Sequence, residues 1–381
     1  MNSRLNLMAS LFLLITLSAC LKDNVQLKSY TQDELSVLRQ YLDLPEEVYN
    51  YAQPQLPEHM QNGGFGGTTI TNHGATLGRV LFYDMHLSAD NTRACASCHV
   101  QAHAMADVSA RSEGVNGNQT DRNALAIGNV RFYYFDRGFF WDERASSVEE
   151  QIRMTISNHK EMGVDFELLA QKLEALPYYP ILFEKAFGSS QITSERIADA
   201  LAQYVRSIVS GHSKLDYAIE QDLASKWWEL ESADLPSLTS QENRGKQLFM
   251  QHCSSCHGNL LFLGKPIANN GLDIEYTDQG VGALTGNPSQ FGLFKVPFLR
   301  NIALTAPYMH DGRFQTLEEV VEHYNSGIQP HPNLDPILKR ADGTPKQFNL
   351  SEEDKQALVA FLHTLTDDSF LKDPAFANPF K

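Results

Sequence analysis

The sequence predicts a mainly α fold made of two similar helical halves, and three observations carry that reading. Apolar residues recur at helical spacing in several windows, while few runs alternate with the two-residue period of a strand. Helix-start signals precede several of those windows. One short pattern, C-x-x-C-H, occurs twice, at Cys95–His99 and Cys253–His257, each time after a helical stretch. The 381 residues suit two domains of common size, and 42% hydrophobic against 20% charged residues is a mix able to bury a sizeable core.

The N-terminal stretch MNSRLNLMASLFLLITLSAC has one early positive charge, Arg4, an apolar run from Leu5 to Leu17, and small residues before Cys20. It is too short and wrongly flanked for a spanning helix and reads as a secretory signal over residues 1–19. Its ending, LSAC, is similar to a bacterial lipoprotein box. Cys20 is then the lipidation site and holds the chain at a membrane, facing the periplasm or the outside. Residues 20–73 form a tether and arm, with a helix near Thr31–Leu42 and the irregular segment PQLPEHMQNGGFGG. A helix over Gly74–Phe82 leads into the first C-x-x-C-H, and the loop SEGVNGNQTDRN follows it. Helices are expected over Ser147–His159, Phe166–Leu173 and Thr193–Ser210, the last with Ile197, Leu201, Tyr204, Val205 and Ile208 on one face.

The second half repeats this logic. Thr239 and Glu242 form a capping box whose helix runs into the second C-x-x-C-H. Thr316 and Glu319 start a helix through Tyr324 that ends near Gly327, and Ser351 with Asp354 starts EEDKQALVAFLHTL. The boundary falls near 180–190 or 215–235; dividing at the latter gives units 74–215 and 216–381. A formal charge of −15 with no long Lys/Arg run makes nucleic acid an unfitting partner, because an acidic surface repels phosphate backbones.

Cysteine usage sharpens the chemistry. With Cys20 set aside, the remaining four cysteines all belong to the two patterns, so none is left for a structural disulfide. C-x-x-C-H is the attachment signal of c-type haem. Two thiols bond one edge of the macrocycle and the adjacent imidazole reaches the iron. A structural zinc site needs four ligands and each cluster supplies three, and a thioredoxin-like pair wants a βαβ setting that is absent here. Cys95, Cys98 and His99 therefore hold one haem, and Cys253, Cys256 and His257 a second. The expected architecture is two cytochrome-c-like helical domains, each with one covalent haem. What occupies the sixth position of each iron then decides between electron transfer and peroxide or oxygen chemistry.

RNALAIGN, FFWDERASSVEEQ and KEMG follow the first cluster, and FKVPFLRNIALTAPYMHDGRFQTLEEVVEHY follows the second. Together they resemble the bacterial di-haem cytochrome c peroxidase family, which includes the MauG-type enzymes, over most of residues 75–365. The resemblance implies that the first haem meets hydrogen peroxide. The second receives electrons from a small cytochrome c or another periplasmic donor. It further implies a Trp between the haems with a Gln and a Glu on the peroxide side; Trp141, Gln151 and Glu161 match, at successive intervals of ten. A calcium ion between the domains is implied at Asn123, Thr305 and Pro307. A homodimer is one assembly open to the chain. Independently, peroxide cleavage needs a proton moved between oxygens, which a carboxylate in a dry pocket can do. Trp141 has an oxidisable ring, and packing beside Phe139 and Phe140 is compatible with that role.

The sequence departs from the family pattern in places. Many members carry a loop His that occupies the peroxide site at rest; the matching loop, Ser112–Thr120, has none. His103, four residues after His99, reads as a pocket or surface residue. The expectation is a first haem open in the resting ferric state. On the second haem, typical peroxidases place a Met and MauG-type proteins a Tyr in the helix after TLEE. Tyr324 matches, on one face with Leu317, Val320 and Val321, and Met309 is the alternative ligand. A surface Trp that serves a MauG-type pathway just before the second cluster is missing, where Phe249–His252 stand, and the Pro four residues after the pocket Gln is replaced by Thr155. A MauG-type oxidase acting on a protein, or a plain di-haem electron carrier, are the competing readings.

Overall fold

The structure, a computed structural model, describes residues 30–61, 69–133, 137–259 and 264–381. The signal segment 1–19 and Cys20 lie outside the described residues. The main helices are α1 (Gln32–Leu38), α2 (Asn72–Tyr83), α3 (Val148–Ser157), α4 (Phe166–Glu174), α5 (Tyr178–Phe187), α6 (Ser194–Ser207), α7 (Ser240–His252), α8 (Leu317–Glu322) and α9 (Glu352–His363). Among the described residues the one sheet is an antiparallel ribbon, β1 (Ile267–Ala268) against β2 (Phe294–Lys295). The mainly α expectation holds.

The start signals work as their chemistry requires. Thr31 with Glu34, Thr239 with Glu242, and Thr316 with Glu319 close reciprocal capping boxes, each satisfying two otherwise orphaned N–H groups. Ser351 accepts from the backbone N–H of Asp354 to open α9. Among these main helices, α5 is the one the sequence reading lacks. Its Pro180 looks like a breaker, yet it sits in the first turn, where a missing N–H removes no intrahelical bond. Tyr178, Tyr179, Leu182 and Phe183 of α5 are buried, so tertiary packing holds this helix.

The two halves repeat one crossing. Helix α2 packs across α6 at Gly78, where any side chain would drive into the carbonyl oxygen of Ala200 and the Cβ of Tyr204. Helix α7 packs across α9 at Gly245, where the obstacles are the carbonyl of Ala357 and the Cβ of Phe361. In both, the helix that leads to a C-x-x-C-H touches the last long helix of its half backbone to backbone. Around the crossings lie two apolar cores. One includes Leu77, Leu81, Tyr179, Phe183, Leu201 and Tyr204, and the other Leu248, Phe249, Leu358, Phe361 and Leu362.

The end of the chain returns to the first core. Phe370 and Phe376 are buried there. Tyr51 Oη donates to the Ala375 carbonyl at 2.6 Å and Arg79 Nε to the Ala377 carbonyl at 2.7 Å. The division at 215/216 assigned this tail to the second unit; by packing it lies with the first. Three distant segments also meet at Asp216, which is fully buried. Its carboxylate accepts from both terminal nitrogens of Arg300 at 2.6 and 2.7 Å and faces Nε2 of His59 at 2.8 Å. Burial alone would raise this carboxyl's pKa, but the Arg300 guanidinium outweighs it and holds the group well below the usual range.

Candidate active site: two facing cavities

The first C-x-x-C-H lies at the edge of a cavity of about 970 Å³. Its short turn, Cys95–Ser97, follows α2 through the Asp84 cap and a polar loop. Nδ1 of His99 faces the Met105 carbonyl oxygen at 3.0 Å. A carbonyl only accepts, so Nδ1 carries the proton and Nε2 keeps its lone pair for a metal. Burial lowers the imidazole pKa, favouring the neutral ligand form. Burial also pushes the Cys95 thiol up to about 12 and the Cys98 thiol to about 11, and neither is in a disulfide. Arg111 lines the same cavity with Nη1 buried and unpartnered. A macrocycle carrying carboxylates, attached through two thiols and ligated by one imidazole, fits this donor set.

The same cavity is lined by Gln151 and Thr155 of α3 and by Glu161, just after that helix. Glu161 Oε1 accepts from Asn158 Nδ2 at 2.8 Å. Burial raises the Glu161 pKa above the usual carboxylate range, and the hydrogen bonds from Asn158 and Thr155 only partly oppose this. The loop Ser112–Thr120 contributes Ser112, Glu113, Gly114 and Thr120 to the lining. The imidazoles lining it among the described residues are His99 and His310; His103 lines neither cavity.

The second cavity, about 210 Å³, repeats the attachment geometry. Nδ1 of His257 faces the Pro297 carbonyl at 3.1 Å, which again leaves Nε2 free, and burial again lowers the imidazole pKa. Burial pushes the Cys253 thiol to about 12. The rest of the lining differs. Leu317, Val320, Val321 and Tyr324 all line it, so the helix face read from the sequence is the face used. After Glu322 the helix widens into a π-type turn, His323–Gly327, that carries Tyr324. One amide serves both ligand candidates: Asn270 Nδ2 lies 3.4 Å from Tyr324 Oη and 3.5 Å from Met309 Sδ. Burial pushes the Tyr324 phenol up to about 12. Asn270 was not a sequence candidate. It lies in an insertion 54 residues before Tyr324, and no spacing points to it.

The two cavities share a wall of Asn123–Ala126, Tyr133, Trp141, Lys295 and His310. Trp141 is buried there, and its Nε1–H donates to the Asn123 carbonyl at 2.9 Å. The backbone N–H of Lys295 donates to the Trp141 carbonyl at 2.7 Å. Two residues later Pro297 accepts from His257, so β2 ties the tryptophan to the second histidine. His310 stacks on Phe294 at 3.8 Å, and burial keeps its pKa below the ordinary value. Thr305 and Pro307 line the second cavity, as Asn123 does.

Known proteins are similar to this chain over most of its length. The family described as di-haem cytochrome c peroxidase matches residues 72–224, and the cytochrome c family matches residues 242–366. The methylamine utilization protein MauG of Methylorubrum extorquens is 31% identical over 342 residues, covering 88% of this chain and 86% of that protein. The cytochrome c551 peroxidase of Nitrosomonas europaea is 34% identical over 299 residues, covering 77% and 80%. A solved MauG-like protein associated with microbial copper homeostasis superposes with a TM-score of 0.74 at 29% identity, over 87% of this chain and 99% of that one. The chain thus belongs to the di-haem cytochrome c peroxidase and MauG family, an oxidoreductase family whose two cytochrome-c-type domains carry haem.

Proposed function

We propose that this protein is a peroxidase that reduces hydrogen peroxide to water with electrons from a small cytochrome c or another periplasmic donor. The observation that carries the reading is Glu161. It is a half-buried carboxyl with a raised pKa that lines the same cavity as a histidine whose free Nε2 suits iron. Haem iron, when bound, supplies the electrons that break the O–O bond. The chain's own residues do the rest. Cys95, Cys98 and His99 hold one macrocycle, and Cys253, Cys256 and His257 the other. Glu161 takes a proton from one peroxide oxygen and returns it to the other, and burial, by raising its pKa, makes it a better proton acceptor for that exchange. Gln151 orients the bound peroxide by hydrogen bonding. Trp141 passes electrons through the shared wall. With no histidine in the Ser112–Thr120 loop, the first site is open without prior reduction.

Tyr324 is the favoured partner of the second iron, with Met309 the alternative. A phenolate there lowers the potential and favours oxidised states. A calcium ion is proposed at Asn123, Thr305 and Pro307, held by neutral oxygens and water. Lipidation at Cys20 would keep the enzyme at a membrane of the cell envelope.

A second reading is favoured by Tyr324 and by the likeness to MauG: oxidation of a partner protein at a distance. Peroxide consumption with reduced cytochrome c tests the first reading, and turnover on the order of 1–10³ per second is expected. Failure of reduced cytochromes to be consumed, together with oxidising equivalents that persist until one specific protein is added, would establish the second.

A further inference from the structure

Trp141 sits at the tip of a loop closed by pairing of Phe139 with Ala145. Two of its non-glycine residues, Phe140 and Glu143, hold positive φ angles of 66° and 54°. Such backbone persists only where surrounding contacts impose it. Lys295 supplies three of them. Its backbone N–H donates to the Trp141 carbonyl at 2.7 Å. Its ammonium donates to the Gly138 carbonyl at 2.7 Å and to Glu143 Oε1 at 3.0 Å. The lysine therefore grips the loop at Trp141 and on both sides of it.

The charge placement is unusual as well. The Lys295 side chain is 3% exposed and its partner Glu143 15%. The ammonium lies 4.6 Å from the centre of the Tyr133 ring, which also lines both cavities. Among the described residues common to both linings, Lys295 is the one with a formal charge. A buried charge is weakly screened, so removing either member of the Lys295–Glu143 pair exposes a field that reaches both haem sites. Trp141 itself has no base to receive its indole proton, because the acceptor is a backbone carbonyl. The electrostatics of the wall therefore come from its neighbours.

We propose that Lys295 is the positioning residue of the route between the two cavities: it clamps the loop that carries Trp141, and its ion pair with Glu143 balances the charge beside the indole. The inference rests on Trp141 being that route.

The test uses the holoenzyme and two readouts that need no peroxide. One is the midpoint potential of each haem by equilibrium redox titration. The other is the rate at which an electron placed on one haem by flash photoreduction reaches the other. In Lys295→Met the uncompensated Glu143 carboxylate should lower both midpoints, and loss of the clamp should slow transfer at least about ten-fold. Lys295→Arg should restore the midpoints. Glu143→Gln, which keeps a hydrogen-bonding group, should raise both midpoints. The double variant Lys295→Met/Glu143→Gln should return the midpoints toward wild type while transfer stays slow. Midpoints that move in the same direction in the two single variants, or in neither, would overturn the proposal. If Lys295→Met fails to fold, Glu143→Gln alone decides, and unchanged midpoints there overturn it. Absence of peroxide turnover in the wild type would remove the functional reading and leave these equilibrium results intact.

Discussion

The two cavities begin from the same chemistry and end with opposite walls. Each has two thiols, and a histidine whose Nδ1–H is spent on a backbone carbonyl, Met105 in one case and Pro297 in the other. The first cavity, of about 970 Å³, is also lined by Glu161 and Gln151 and is the more polar of the two. The second, of about 210 Å³, is lined by an apolar helix face, a tyrosine and a methionine. Attachment is thus a local property of five residues, while reactivity belongs to whatever the fold brings across from them. A lining that includes a titratable carboxyl suits a small polar oxidant. A mostly apolar lining with side-chain ligand candidates suits an electron relay.

That contrast can be broken. Replacing Cys95 and Cys98 together by Ser should remove one covalent haem and leave the other, seen as a single-haem mass increment on the denatured protein; the same change at Cys253 and Cys256 should mirror it. Retention of two covalent haems in either variant would defeat the assignment. Next in size, Glu161→Gln should lower peroxide turnover about 10²- to 10⁴-fold, the usual worth of a general acid–base group. The pH profile carries the sign. Burial raises the Glu161 pKa, so the carboxylate that accepts the first proton fills only as pH climbs through that raised value. Turnover in the wild type should rise across that range, and Glu161→Gln should lack the limb.

A smaller effect tests the repeated crossing. Gly78→Ala and Gly245→Ala should each cost about 1–3 kcal/mol of stability through overpacking, measured by chemical denaturation. The first should disturb the spectrum of the first haem more, and the second that of the other. Smallest in energy, Tyr324→Phe should change the spectrum of one haem only. An unchanged spectrum would move the ligand assignment to Met309, and Met309→Leu would then carry the change.

Much of this contrast was legible in the linear chain. The cluster spacings, the capping boxes at Thr31, Thr239 and Thr316, and the face shared by Leu317, Val320, Val321 and Tyr324 are all encoded within a few residues. Helix α5 was not, because Pro180 reads as a breaker unless its place in the first turn is known. Nor was the return of Phe370 and Phe376 to the first core, since an apolar residue does not reveal which core it enters. Asn270 carried no signal either, and Lys295, visible only as part of the family-like stretch FKVPFLRN, gave no sign of its place in the wall.

The sequence by itself determined the two haem-attachment patterns, the helical class and the identity of the candidate residues. Covalent reach and helix periodicity act over a handful of positions, so they survive in the linear chain. Tertiary structure alone decided what faces what. It put Tyr324 and Met309 on one Asn270 amide, clasped the Trp141 loop with Lys295, and buried Glu161 enough to raise its pKa. Those outcomes depend on contacts between residues tens to hundreds of positions apart and on the exclusion of water between them, which no local spacing records.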